Sequence, residues 1–494
     1  MRSLLEAYYE PQFSACSHGF RPGRGCHTAL EEVHRRWRGM KWFIEGDITA
    51  CFDRIAKNVL LNTLREKIHD NRFLRLIAHL FEAGYMEAGK HYPSYSGVPQ
   101  GSGLSPVLSN IVLDRLDKYV EQTLMPAYTR GRRRKTYAPY VVVTKAASQA
   151  RKQGDFATAR RLNKQAQTMP SRDPTDPNFR RLWYCRYCDD FLLGYVGTKA
   201  EALEIKRHLA TFLQETLALD LSEEKTFLTH ARDEKAHFLG YEIHTLHADD
   251  KHDQRGRRCI NGAIGLRVPA PVLTTHCAKY TQVGRPRPLL QRLHDSAYSI
   301  VAQYQTEYQG VVQYYRLAYN LHQLQKLKRV METSLTRTLA KKYKTSRTQI
   351  YRRFRALHHT EHGTYKVLEV RVGRGPTKAP LVARFGGIPL RWNRWAKIND
   401  APTKPIWSGR SEVVERLLAD TCELCGVTDH IEVHHIRKLK DLDRAGQPST
   451  PRWAKVMATR RRKTLVVCQA CHHHIQYGRY DGPALSPKSH WRAR

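Results

Sequence analysis

The sequence predicts an α+β multidomain protein that handles nucleic acid, on three observations. First, 494 residues give room for roughly two to four domains at about 100–200 residues each. Second, strand-like and helix-like segments mix over the first half, whereas a long stretch of the second half has helical spacing. Third, 83 Lys and Arg against 46 Asp and Glu leave a net charge of +37, which repels itself unless a polyanion answers it. Membrane insertion is not expected, because no run approaches the roughly 18 apolar residues that span a bilayer. Met1–Pro11 has no sustained apolar core and carries Glu6 and Glu10, so it does not read as a secretory signal. With 41% hydrophobic and 10% aromatic residues, the chain is more than a disordered basic tail. Of 11 cysteines, four fall in two CxxC pairs near the C-terminus, the pattern of metal binding in a reducing compartment. The expected location is the cytoplasm.

In chain order, Lys41–Asp47 (KWFIEGD) reads as a strand ending on a carboxylate. Lys57–Lys67 has helical spacing, with Val59, Leu60 and Leu64 on one side. From Arg130 to Arg181, 14 Lys and Arg stand against Asp155, Asp173 and Asp176. Such an insertion is either a solvated basic helix pair or a surface for nucleic-acid backbone, favoured by counterion release. Trp183–Gly197 (WYCRYCDDFLLGYVG) is β-rich apart from Asp189 and Asp190, and predicts a hairpin with both acids at its turn. A helix should follow, since Thr198 and Glu201 make a capping box and Ala202, Ile205, Leu209, Phe212 and Leu213 recur at helical spacing. Asp249–Arg258 is a polar loop and Gly284–Pro288 a breaker. Ile300–Tyr343 predicts a long helical region with Tyr304, Tyr308, Tyr315 and Tyr319 in one stripe, as in a helix-bundle core. Pro402 and Pro405 mark a linker, and a last module runs from about Ser411.

Asp47, Asp189 and Asp190 sit where apolar context predicts strand ends or tight turns. Burying charge there is unfavourable without a partner, and neighbouring acids repel. A divalent cation answers both, and hard oxygen ligands suit magnesium. Two such ions about 3.5–4 Å apart can activate a hydroxyl and stabilise a leaving pyrophosphate. Alone, an Asp-Asp pair is more often an exposed turn.

Six further segments change that weighting: SHGFRPGRGCHTAL (Ser17–Leu30), FIEGDITACFD (Phe43–Asp53), GVPQGSGLSPVLSNIVLDRLDKYV (Gly97–Val120), RYCDDFLLG (Arg186–Gly194), LSEEKT (Leu221–Thr226) and FLGYEI (Phe238–Ile243). In this order and spacing they resemble the reverse transcriptases encoded by group II introns, over nearly the whole chain. The resemblance implies a right-hand polymerase with palm and fingers over residues 1–246, an α-helical thumb (the maturase X domain) over 247–400, and a small zinc-bound ββα HNH module over 401–494. It implies magnesium-dependent copying of RNA into DNA from deoxynucleoside triphosphates. Asp47, Asp189 and Asp190 match the metal-binding carboxylates. Phe52 matches the bulky residue that blocks a ribose 2′-OH, Gln100 one that touches the incoming nucleotide, and Lys225 a lysine near the triphosphate. Cys188 stands where the family usually has Ala, and its CxxC with Cys185 lacks a second pair nearby. The family also carries a stretch of fingers ahead of Ser17–Leu30, and this sequence starts almost at that segment.

Tyr314–Tyr343 resembles the maturase region, which implies a helical grip on intron RNA, with Arg316, Asn320, Lys326 and Lys328 as contacts. Cys422, Cys425, Cys468 and Cys471 are two CxxC pairs 42 residues apart, whose four sulfurs suit one tetrahedral zinc. CELCG…EVHHI…LVVCQACHHHI, extended by GRYDGP (Gly478–Pro483), resembles the HNH endonuclease module of such proteins. That resemblance makes His435 the general base, and His434 and His472 ligands of a divalent ion. Gln476 stands where the family commonly has another His. The implied partners are group II intron RNA, target DNA and deoxynucleoside triphosphates, with a second copy of the chain as a candidate. Two alternatives stay open: a polymerase-inactive splicing maturase that only binds RNA, and a reverse transcriptase recruited by its host.

Overall fold

A computed structural model describes residues 1–494 except 83, 88–89, 93–102, 255–257, 375–378, 394–397, 399–420, 436–453, 455–456, 458–463 and 478–494. The chain divides into two compact units. One comprises 1–272, 313–322 and 391–400, the other 273–312, 323–390 and 401–494. No helix among the described residues is long and apolar enough to cross a membrane.

The first unit contains helix α1 (Cys26–Arg36), strand β1 (Trp42–Gly46), the short helix α2 (Cys51–Arg54), α3 (Lys57–Arg65) and α4 (Ser105–Tyr119). Every residue of α4 from Val107 to Asp114 is buried, as in a helix apolar nearly all round. The basic insertion forms two helices, α5 (Ala138–Lys152) and α6 (Phe156–Thr168). They are tied at their base by paired hydrogen bonds between Arg130 and Arg180 and by Lys135 N–H donating to Asp176 at 2.7 Å. Arg151, Lys152, Arg160, Arg161 and Lys164 are exposed.

The predicted hairpin forms as β2 (Arg181–Tyr187) and β3 (Asp190–Val196), followed by α7 (Lys199–Leu217) with both halves of the Thr198–Glu201 capping box made. Ala202, Ile205, Leu209 and Leu213 are fully buried, and Phe212 packs beside them. With β4 (Phe227–His230), the strands form an antiparallel sheet in the order β2-β3-β1-β4. Gly46 pairs with Phe191, and a Cβ on Gly46 would lie 2.1 Å from the Phe191 ring. Only glycine lets that ring lie across the end of β1.

Under the sheet lies an ion pair that sequence does not disclose. Arg186 and Asp117 are both fully buried and joined by two hydrogen bonds of 2.7 and 2.6 Å. Burial alone would lower the guanidinium pKa, and Asp117 more than restores it. Arg186 also donates to the Cys188 carbonyl (2.8 Å) and to Ser17 Oγ (2.9 Å), which fastens the hairpin turn to α4 and to the SHGF segment. Asp117→Asn leaves that guanidinium short of a counter-charge. It should destabilise the first unit by about 3–5 kcal/mol, seen as a lower urea midpoint.

A second sheet joins β5 (Ala236–Phe238), β6 (Tyr241–Thr245) and β7 (Ile264–Arg267). β7 pairs with β6, and the first compact unit includes the chain up to Val272.

In the second unit, α8 (Ala297–Tyr314, its last two residues counted with the first unit) and α9 (Gln325–Tyr343) occupy the helical region expected over Ile300–Tyr343. The chain breaks between them because Tyr319 N–H donates to the Leu266 carbonyl (2.9 Å) and the Asn320 side chain brackets Val268. Tyr304 and Tyr308 are core residues of α8, as the stripe predicts. Tyr315 and Tyr319 lie beyond it, their hydroxyls at Gly240 O (3.1 Å) and His244 Nε2 (3.5 Å). Helix α10 (Arg347–Phe354) leads into the antiparallel sheet β8 (Arg355–Thr360), β9 (Gly363–Val372) and β10 (Leu381–Phe385). The last module pairs β11 (Ile431–His435) with β12 (Thr464–Cys468) ahead of α11 (Gln469–Gln476), a ββα unit.

Candidate functional site

β1 delivers Asp47 to the sheet's edge. The pairing of β1 with β3 ends at Gly46–Phe191, which leaves Asp47 next to Asp190, the first residue of β3, with the two carboxyls in hydrogen-bond reach. Tyr187 pairs with Asp190, so the hairpin turns on Cys188 and Asp189, with Cys188 in the left-handed region at φ +59°. Asp47 is fixed through its main chain, whose carbonyl accepts from Ser222 N–H at 2.8 Å. Lys225 Nζ lies 3.0 Å from Asp47 Oδ2. The electrostatics record crowding of like charge. Burial, then Asp189, then Asp47 push the Asp190 carboxyl up to about 6. Asp189 is raised by burial first, with Asp47 adding to it. The exposed Lys225 ammonium is held charged, chiefly by its hydrogen bond to Asp47.

Three crowded carboxylates, answered only partly by Lys225 and by the buried Arg186, are the donor set that hard divalent ions prefer, so these residues fit magnesium. Their oxygens are not drawn as close as the thiols described below. Among the described residues, only the four cysteines bring every ligand atom within 4.8 Å of the rest.

Phe52 is half-buried on α2, two residues after Ala50, which is itself left-handed at φ +46°. Gln100 lies outside the described residues. Of the expected RNA contacts, Lys326 is exposed and Arg316 and Lys328 are half-buried. Asn320 departs from that expectation. It is 2% exposed and its amide bridges both main-chain groups of Val268 (2.8 and 3.2 Å), so it builds the fold rather than a binding face.

In the ββα module, Cys422, Cys425, Cys468 and Cys471 converge, with Cys425 Sγ 3.6 Å from Cys468 Sγ. Burial opposes ionisation of Cys422, but the N–H groups of Cys425, Cys468 and Leu424 outweigh it and lower the thiol pKa. Four converging sulfurs with such a donor shell fit tetrahedral zinc. On the other side, the His434 and His472 rings meet at 5.2 Å and 73°. Burial, then the neighbouring histidines, lower the His434 pKa and keep the ring neutral, the form that ligates metal. His472 Nδ1 lies 2.6 Å from Glu432 Oε2. Glu432 is absent from the sequence-derived site, although its position two residues before His434 on a strand puts both on one face. His435 and Gln476 are exposed, and GRYDGP lies outside the described residues.

Comparison with known proteins agrees with this layout. Residues 1–243 match the reverse transcriptase (RNA-dependent DNA polymerase) family, 273–381 the type II intron maturase family and 422–472 the AI2M/AI1M-like HNH endonuclease family. The group II intron-encoded protein LtrA of Lactococcus lactis subsp. cremoris is 32% identical over 495 residues, covering 96% of this chain and 80% of that protein. This chain belongs to the group II intron-encoded reverse transcriptases. The putative COX1/OXI3 intron 1 protein of Saccharomyces cerevisiae is 30% identical over 494 residues, covering 96% of this chain and 58% of that one. Telomerase from Candida albicans, in complex with a fragment of telomeric RNA, aligns at 13% identity with a TM-score of 0.36 over 69% of this chain and 47% of that one, too slight a likeness to bear on the fold. The intron-encoded protein thus joins reverse transcriptase, maturase and HNH endonuclease domains in one polypeptide, as an RNA-directed DNA polymerase with an endonuclease domain.

Proposed function

We propose that this chain copies RNA into DNA at Asp47, Asp189 and Asp190, grips intron RNA with its maturase region to assist splicing, and nicks target DNA with its C-terminal module to expose a primer. The observation that supports the reading is the end of the β1–β3 pairing at Gly46–Phe191, which leaves Asp47 next to Asp190 with Asp189 at the adjoining turn. The 3′-OH of a primer attacks the α-phosphate of a deoxynucleoside triphosphate in line, a new P–O bond forms, and pyrophosphate leaves. Magnesium, when bound by the three carboxylates, supplies Lewis-acid activation and charge neutralisation. Lys225 balances charge beside Asp47 and donates a proton to the departing pyrophosphate. Phe52 walls off the ribose 2′ position, and Gln100 touches the nucleotide. Arg316, Lys326 and Lys328, with the exposed cations of α5 and α6, contact RNA phosphates.

In the HNH module, His434 and His472 hold one divalent ion, Glu432 orients His472, and His435 takes a proton from the attacking water. The four cysteines hold structural zinc. The domains are fingers and palm up to about residue 246, thumb to about 400 and HNH module beyond. The partners are group II intron RNA, target DNA, deoxynucleotides and a second copy of the chain, in a bacterial cytoplasm.

Primer extension on an RNA template with magnesium tests the polymerase. No deoxynucleotide incorporation, alongside intact intron binding, overturns it in favour of an RNA-binding maturase. For the nuclease, His435→Ala should abolish DNA nicking, a loss of about a hundredfold or more for a general base, while zinc stays bound. Unaffected cleavage would move the base elsewhere.

A further inference from the structure

Among the described residues, eight other than glycine have positive φ, and three of them surround the carboxylates: Phe20 at +56°, Ala50 at +46° and Cys188 at +59°. Left-handed backbone is unfavourable for a bulky L-residue and persists only where the surroundings impose it. For Phe20 the surroundings are explicit. His18 N–H donates to Arg186 O (2.9 Å) and Gly19 O accepts from Asn110 Nδ2 (2.8 Å). Arg21 donates to Ser17 O (2.9 Å), as does Arg24 (3.0 Å). Gly19 itself lies on the catalytic turn, since a Cβ there would stand 2.4 Å from both N and Sγ of Cys188.

This arch holds Phe20 next to Gly19 at the turn, yet leaves the residue 54% exposed. A glycine would meet the backbone requirement without strain, and burial does not account for the ring. What the ring touches is Phe52, edge-to-face, with centroids 6.3 Å apart and planes at 78°. Such a contact orients both rings beyond what area alone does. Phe52 in turn stands on α2, whose entry is the left-handed Ala50.

We infer that Phe20 is a positioning residue for sugar selection, holding the Phe52 ring at the angle that excludes a 2′-OH. This inference rests on the reading of Phe52 as the sugar wall. The test is single-nucleotide extension by the full chain on an RNA template with a DNA primer and magnesium, giving kcat/KM for a deoxynucleotide and the matching ribonucleotide. Phe20→Ala should lower the deoxy-over-ribo preference by about two- to tenfold, the worth of an edge-to-face pair. The change should come from faster ribonucleotide use, with deoxynucleotide kcat/KM nearly constant. Phe20→Tyr keeps the ring edge and should restore the preference. Phe52→Ala should lower it further, and the double variant no further than Phe52→Ala alone.

If Phe52→Ala loosens selection and Phe20→Ala does not, the inference is overturned and the sugar wall stands. An additive double variant also overturns it, because Phe20 would then act independently of Phe52. If Phe52→Ala changes nothing, the sugar wall itself fails. Equal loss of both kcat/KM values with a lowered melting temperature marks Phe20 as merely structural, again overturning the inference. Should Phe20→Ala not fold, Phe20→Leu preserves bulk without the ring and is expected to give the same loosened selection.

Discussion

Asp189→Asn should reduce deoxynucleotide incorporation by at least about a thousandfold, since removing one carboxylate from a two-ion site forfeits several kcal/mol of transition-state stabilisation at 1.36 kcal/mol per tenfold. Asparagine has the same shape, so the change is one of charge. The Cys188–Asp189 turn keeps its fastening, because Arg186 holds it through the Cys188 carbonyl rather than through the Asp189 side chain. Affinity for intron RNA should stay within about twofold, because removing one acid from a chain of net charge +37 barely alters its attraction for phosphate. A third consequence concerns stability. Asp190 is raised by burial, then by Asp189 and Asp47, so without metal these acids repel. Neutralising one relieves the repulsion, and the metal-free variant should melt no lower than the parent. Added magnesium should then stabilise the parent more than the variant. Persistent synthesis by Asp189→Asn would displace the metal from these residues.

The carboxylate cluster was legible because its chemistry violates its context. Two acids interrupt a β-rich hairpin, and Asp47 ends an apolar strand, so both stand out from the residues that place them. The capping box at Thr198 and Glu201 was legible because it is local, spanning four residues of sequence. What escaped was non-local. Arg186 reads as one more cation in a basic chain, and only the fold brings it to Asp117, 69 positions away. Helical periodicity runs on through Tyr315–Leu324, and the chain breaks there because Tyr319 and Asn320 answer backbone groups of Leu266 and Val268. The same hydrogen bonds take up the Asn320 amide, which the maturase resemblance makes an RNA contact. Its polarity is spent on Val268, not on a ligand. The pairing of β7 with β6 also escaped, because the polar stretch Asp249–Arg258 lies between the two strands.

Chelation of the metal from the C-terminal module, or Cys468→Ser, has the second large effect. One zinc per chain is expected from four converging thiols. The described apolar core of the module is small, with Leu424, Met457, Leu465, Val467 and Ile475 packed among the cysteines themselves. A core of this size rarely folds unaided, and structural zinc contributes about 10–16 kcal/mol to such modules. Cys468 ends β12 and caps α11, whereas Cys471 lies within α11, so the metal clamps the strand that pairs with His434 to the helix that carries His472. Without it the 5.2 Å approach of the two histidines rests on the His472–Glu432 contact and the strand pairing. Metal-free or Cys468→Ser protein should therefore lose DNA nicking entirely and become sensitive to protease between residues 421 and 477. Primer extension should continue, because Asp47, Asp189 and Asp190 belong to the other compact unit. Zinc content, limited proteolysis and the two activities, measured on one preparation, separate these effects. Nicking that survives with no zinc bound would make the cysteine cluster dispensable and leave the ββα unit to fold on its apolar contacts alone.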